Sequence, residues 1–220
     1  MHALKRVQAY DAAAISSTRE TKRRVVAGYV VHDSRMLLPR EQRSHNAELL
    51  RSTPMDIDAF LHAHGIDSER HEHPPVMTVE ESERLLPPLP GAKTKNLFLR
   101  DKKGLRHFLV TVPAARAVDL AALGVTLGAG RLGFASPDRL LRHLGITPGS
   151  VSLLALVNDR ERAVEFVIDR ALWEAEAVQA HPLVNTATLI LSQRGLERFL
   201  AATGHTARVI DVPAATGPPM

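Results

Sequence analysis

The sequence predicts an α+β fold, a compact domain with a central mixed, largely antiparallel β-sheet surrounded by helices. Helical and strand patterns mix without the regular βαβ alternation that a doubly wound parallel sheet requires. The stretch NLFLRDKKGLRHFLVTV (residues 96–112) reads as a β-hairpin, with Gly104 supplying the positive φ such a turn needs. Several helical stretches also carry their own start and stop residues.

Taken in order, residues 1–54 stand apart. They hold ten Lys/Arg against five Asp/Glu, while the rest of the chain holds 18 against 19, so the formal charge of +4 belongs to this segment. It contains one strand-like stretch, GYVVHDSRMLL, amid poor periodicity, and is expected to be a poorly ordered basic extension. The next stretch, DIDAFLHAHGI, is an amphipathic helix with Ile57, Phe60 and Leu61 on one face, stopped by Gly65. ERHEHPPVM reads as an extended strand ending at its proline pair. TVEESERLL opens with Thr78 as N-cap and Glu81 three residues on, a capping box. A loop, PPLPG, leads into the hairpin. VDLAALGVTLG and SPDRLLRHLG are helices, the second capped by Ser136, with Pro137 at its first position and Gly145 at its end. TPGSVSLLALVND reads as a turn feeding a buried strand, and AVEFVID as a strand. After ALWEAEAV comes the loop HPLVNTATLILS, whose second half is again a strand. QRGLERFLAATG is the closing helix and ARVIDV the final strand.

Composition removes several classes of function. The chain has no cysteine, which excludes disulfides, thiolate zinc sites and cysteine nucleophiles. No stretch approaches the ~20 apolar residues of a membrane span. VVAGYVV follows KRR but is short and lacks a cleavage pattern, so neither a secretory signal nor a membrane partner is expected, and the expected location is cytoplasmic. GAGRLG (residues 128–133) matches the dinucleotide fingerprint, yet a helix rather than a strand precedes it, which reads as a helix-ending loop. GAKTKN lacks the glycine spacing of a phosphate-cradling loop. His71 and His73 alternate on one strand face without a third ligand, so no metal is expected. Ser150 is not in a nucleophile elbow. No cofactor is expected.

One stretch poses a question. In GAKTKNLFLRD, alternation puts Lys95 in phase with Leu97 and Leu99, an ammonium along an apolar face, and Asn96 on the opposite side. Either the lysine caps the strand end in solvent or it lines a pocket that needs a fixed positive charge. Arg139 and Arg142 read as a solvated helix face within reach of an RNA phosphate.

Four segments, EHPPVMTVEE (72–81), KNLFLRDKKG (95–104), LGITPGSVS (144–152) and HPLVNTATL (181–189), together resemble the YbaK/prolyl-tRNA synthetase-associated editing domains. The match is closest to free-standing deacylases that clear alanine from mischarged proline tRNA. It covers about residues 55–213, leaving 214–220 as a tail. Leu153 stands where many members carry proline, and Ala180 precedes the His-Pro pair where other residues are usual; both touch selectivity more than the reaction.

The resemblance implies an aminoacyl-tRNA hydrolase engaged in trans-editing. It implies Lys95, His181, Gly149 and Ser150 as catalytic residues. It further implies Asn96, Val76, Met77, Thr78, Leu97, Ser152 and Asn185 as substrate-binding residues, with Val76, Met77 and Leu97 as walls of a pocket narrow enough to refuse proline. The expected partners are mischarged tRNA, that of proline first, and prolyl-tRNA synthetase; the expected state is a monomer. The alternatives are another mischarged ester, such as cysteine on proline tRNA, and a non-catalytic module that holds tRNA or a synthetase.

Overall fold

The computed structural model describes residues 55–75 and 88–215, together with the backbone of Val25, Val26, Tyr29 and Val30. The chain divides into two units, Met1–Thr53 and Pro54–Met220. In the first, β1 (Val25–Val26) pairs antiparallel with β2 (Tyr29–Val30). Residues 1–54 apart from β1 and β2, expected to be a poorly ordered basic extension, the predicted helix opening at Thr78, and the expected pocket residues Val76, Met77 and Thr78 lie outside the described residues.

The second unit opens with α1 (Ile57–Ala63), capped by Asp56, whose carboxylate accepts from Ala59 N. Strand β3 (Ser68–Glu72) follows. The predicted hairpin is β4 (Thr94–Asp101) and β5 (His107–Pro113), antiparallel, with Leu97 opposite Val110 and Asn96 opposite Thr111. Its turn is held by Asp101, whose Oδ1 accepts from the backbone N–H of Leu105 (2.8 Å) and Arg106 (3.1 Å), while Gly104 takes φ +68°. Next come α2 (Leu120–Thr126), β6 (Leu132–Phe134) and α3 (Pro137–Leu144). Ser136 caps α3 and Gly145 ends it in the left-handed region, as the sequence predicts. A 3₁₀ helix (Leu153–Asn158) precedes β7 (Val164–Asp169) and the single turn α4 (Arg170–Trp173). Strands β8 (Ala177–Ala180) and β9 (Ala187–Ser192), helix α5 (Gln193–Thr203) and β10 (Ala207–Ile210) complete the unit.

Among the described residues of the second unit two sheets form where one central sheet was expected. The first has the order β10-β7-β5-β4-β6, parallel on the β10-β7-β5 side and antiparallel on the β5-β4-β6 side. The second is antiparallel, β3-β9-β8. Strand alternation sends Phe98, Leu109, Phe166 and Ile168 into a core shared with Leu189 and Leu191 of the second sheet and with Leu61, Leu196 and Phe199 of the helices. The opposite face of the first sheet buries Leu99, Phe108, Val110, Val112 and Val167 under Leu123 of α2.

Three elements depart from the sequence expectation. The run after Ser152 is a 3₁₀ helix rather than a strand. Leu153 to Val157 are buried on every side, so no periodicity distinguishes the two, and Ser152 Oγ accepts from Leu154 N to start the helix. Strands β6 and β8 were not expected. At three and four residues (LGF and AVQA) they are too short for an alternation to register, and Gly133, Ala177, Gln179 and Ala180 dilute the strand preference of Phe134 and Val178; their pairing with β4 and β9 creates them. Among the described residues no helix is long and apolar enough to cross a membrane.

Candidate active site

The β4–β5 pairing sets the frame. Lys95 lies opposite Val112 and shares its side with Leu97 and Leu99, while Asn96 lies opposite Thr111 on the side of the main core. Asn96 is gripped at both ends of its amide: Oδ1 accepts from Thr111 Oγ1 at 2.7 Å, and Nδ2 donates to Val151 O at 3.2 Å. These two bonds also fix which amide atom is oxygen, and they leave one amide N–H for a ligand.

The Val151 carbonyl belongs to the turn between α3 and the 3₁₀ helix. Gly149 there takes φ +93°, and Ser150 N donates to Thr147 O at 3.3 Å. Ser152 is fully buried, and its hydroxyl donates to the carbonyl of His181 at 2.6 Å while accepting from Leu154 N. Asn96, the glycine turn and the His-Pro loop are thereby tied by consecutive hydrogen bonds. The His-Pro loop joins β8 to β9, and Leu183 within it adopts φ +66°, a left-handed conformation costly for a branched apolar residue. Asn185 lies half-buried in the same loop.

The His181 ring is half-buried and lies 6.5 Å, centroid to centroid, from that of His73 at the end of β3. Burial, and secondarily the neighbouring His73, hold the His181 pKa below the usual imidazole value, so its ring is neutral at neutral pH. His73 is fixed by Pro74 O on Nδ1 (2.8 Å) and Thr188 Oγ1 on Nε2 (3.0 Å). A carbonyl only accepts, so Nδ1 is the donor to Pro74 O.

Lys95 is placed differently. Its Nζ donates to the carbonyl of Arg116, in the loop after β5, at 2.5 Å. Leu97 packs on the cluster around Leu99. Strand register therefore puts Lys95 and Leu97, the latter expected as a pocket wall, on the side away from the Asn96–Ser152–His181 chain. Ser150 has its N–H engaged within its own turn.

Two contributors were missed at the sequence level. His73 was weighed only as a metal ligand, although the alternation in HEHPP places it at a strand end. Gln179 gave no signal, because it sits in a stretch without periodicity. Its buried side-chain amide donates to the carbonyls of Leu89, Pro90 and Gly91 at 3.0–3.2 Å, and its backbone carbonyl accepts from Thr94 Oγ1 at 2.7 Å. It thereby sets the approach of the chain to Lys95. Among the described residues no group of three or more His, Asp or Glu could hold a metal ion.

Residues 73–199 match the family model described as the aminoacyl-tRNA editing domain. The chain belongs to that family. Editing in this sense is hydrolysis of the ester joining an amino acid to tRNA, so this editing domain is an aminoacyl-tRNA deacylase. It is 40% identical over 141 residues to the prolyl-tRNA editing protein ProX of Acetoanaerobium sticklandii, covering 64% of this chain and 86% of that protein. It is 41% identical over 153 residues to prolyl-tRNA synthetase associated domain-containing protein 1 of Danio rerio, covering 69% and 83%. A crystal structure of the hypothetical protein APE2540 shares the fold, with a TM-score of 0.57 at 23% identity over 72% of this chain and 99% of that one.

Proposed function

We propose that this editing domain works in trans on mischarged proline tRNA and hydrolyses the ester of alanine in preference to that of proline. The observation that carries the reading is the hydrogen-bonded chain from Thr111 through Asn96 and Val151, continued by Ser152 to His181, in a member of the editing family. The names of the curated relatives, both built on prolyl-tRNA, support the choice of tRNA.

Ester hydrolysis passes through a tetrahedral oxyanion, and a fixed donor aimed at it contributes about 3–4 kcal/mol. The second N–H of the Asn96 amide and the Gly149 N–H are the donors we assign to this role. A neutral His181 offers a lone pair to the attacking water, with His73 facing it. Lys95, at the mouth of the strand and on its other side, is assigned to the phosphate of the terminal nucleotide, because an ammonium is a compact point charge suited to an anion. A pocket cannot refuse a smaller amino acid by size, whereas a second, narrower one can accept alanine and exclude proline. The protein is proposed to act as a monomer, with prolyl-tRNA synthetase as a transient partner.

A deacylation panel tests the reading. Alanyl-, prolyl-, cysteinyl- and seryl-tRNA are incubated with the protein and ester loss is followed; faster loss of alanine than of the other esters is expected. A preference for cysteine or serine would move the substrate, and loss no faster than in buffer for every ester would end the catalytic reading. Within the same assay Asn96→Ala is expected to lower kcat by about a hundredfold. Lys95→Ala is expected to act mainly through KM, and an equal loss in kcat would put its ammonium on the ester itself.

A further inference from the structure

A concavity lies at the end of β4 away from Lys95, between the hairpin turn and the start of α3. Arg100, Lys102, Lys103 and Arg139 line it together with Phe134, around a volume of about 420 Å³. Among the described residues none of these four cations is in a salt bridge. Arg100 Nη1 donates to the carbonyls of Asp101 (3.0 Å) and Lys102 (3.2 Å). Arg139 Nη1 donates to Gly104 O (3.0 Å) and lies 2.8 Å from His107 Nε2. Such neutral acceptors orient guanidinium groups without cancelling their charge. The nearest carboxylate, Asp101, is 9% exposed and turned inward onto the turn's own N–H groups; Asp138, on the first turn of α3, is the one exposed acid nearby on that helix.

The other unusual feature is Phe134, a 64% exposed ring on the last residue of β6. A set of unneutralised cations beside an exposed aromatic face is the combination that grips a nucleic-acid strand, with phosphates held by charge and a base held by stacking. Arg100 also lies on the same side of β4 as Asn96, by alternation. From Asn96 to Lys102 the chain advances about 20 Å at the rise of an extended strand. We infer that this cradle holds the RNA backbone of the tRNA substrate upstream of its acylated end, with Phe134 stacking on an exposed base or ribose. The inference rests on the deacylase reading for the identity of the RNA, not for the binding itself.

The test pairs two substrates and one direct binding measurement, all on the full chain. Lys102→Glu with Lys103→Glu, and separately Phe134→Ala, alter exposed side chains. On alanylated full-length tRNA the double variant is expected to raise KM at least about tenfold with kcat kept. The slope of log affinity against log salt should become shallower by about 1.5, as for two lost phosphate contacts. On alanyl-adenosine, too short to reach the cradle, its activity should equal the parent's. Uncharged tRNA binding should weaken in parallel, and a several-fold loss is expected for Phe134→Ala. Unchanged tRNA affinity and salt slope overturn the inference, including the case in which the patch serves an acidic protein instead. If the parent hydrolyses no ester but the charge reversal still weakens tRNA binding, the cradle stands and the deacylase reading falls.

Discussion

Ser152 joins the parts of the site through two hydrogen bonds made by one hydroxyl. Its proton goes to the His181 carbonyl at 2.6 Å, and its lone pair receives Leu154 N–H at 3.2 Å. The residue is fully buried, so deleting the hydroxyl leaves a buried carbonyl and a buried N–H without this partner. Ser152→Ala is expected to destabilise the unit by about 1–3 kcal/mol, read as a lower urea midpoint at constant m. Because the His-Pro loop is released from the glycine turn, kcat on the preferred ester should fall as well. Full activity with lowered stability would confine Ser152 to a structural part. At this scale the sequence pattern locates Asn96, Ser152 and His181 but not their connections. A serine in an apolar run and a histidine before a proline carry no mark of their partners 29 residues apart.

The α2–β6 connection shows why an element can be misread while its residues are read correctly. GAGRLG does end a helix, as expected: Gly128 and Gly130 take φ of +61° and +65°, and the loop turns back so tightly that its Gly130 carbonyl crowds Gly124 of α2. A Cβ on Gly124 would lie 1.9 Å from the carbonyl oxygen of Gly130, where no real contact exists. Gly124→Ala improves helix propensity by about 1 kcal/mol, yet the clash is expected to outweigh this and leave a net loss of about 1–3 kcal/mol. Equilibrium urea unfolding measures it, and a net gain would mean the loop yields freely. The hairpin and α3 were legible because their signals are local: alternation and Gly104 for one, Ser136, Pro137 and Gly145 for the other. Strands β6 and β8 were not, because pairing partners rather than local preference make them extended. The 3₁₀ helix was hidden by uniform burial.

For the molecule as a whole, buried titratable groups set how stability varies with pH. His107, 5% exposed, stacks on Phe98 and faces His143 and Arg139; burial first, then these two cationic or protonatable neighbours, push its pKa down to about 4. The unfolded imidazole titrates near 6.5, so between about pH 6.5 and 4 the unfolded chain binds a proton that the folded one refuses. Stability should therefore fall with pH across that window, by up to about 3 kcal/mol from this group. Asp159 acts lower on the scale. Burial raises its pKa, but the His205 hydrogen bond and the N–H groups of Val164 and Ala163 outweigh this and hold it below the usual value. Its contribution is complete above the unfolded carboxylate pKa and is lost as pH falls through the folded one. Urea midpoints measured from neutral to acid pH should show both declines. His107→Gln should flatten the first and leave the second, and a pH-independent midpoint in the parent would contradict the burial argument.

By itself the sequence determined the mixed helix-and-strand composition, the capped helices, the hairpin, and the residue types from which a site could be made, since these follow from signals spanning a few neighbours. Only the tertiary structure decided that two sheets share one core and that Asn96 rather than Lys95 faces the glycine turn. It also decided that His73 meets His181 and that four cations gather around Phe134. Those facts depend on register and on hydrogen bonds between residues distant in the chain, and a linear pattern records neither.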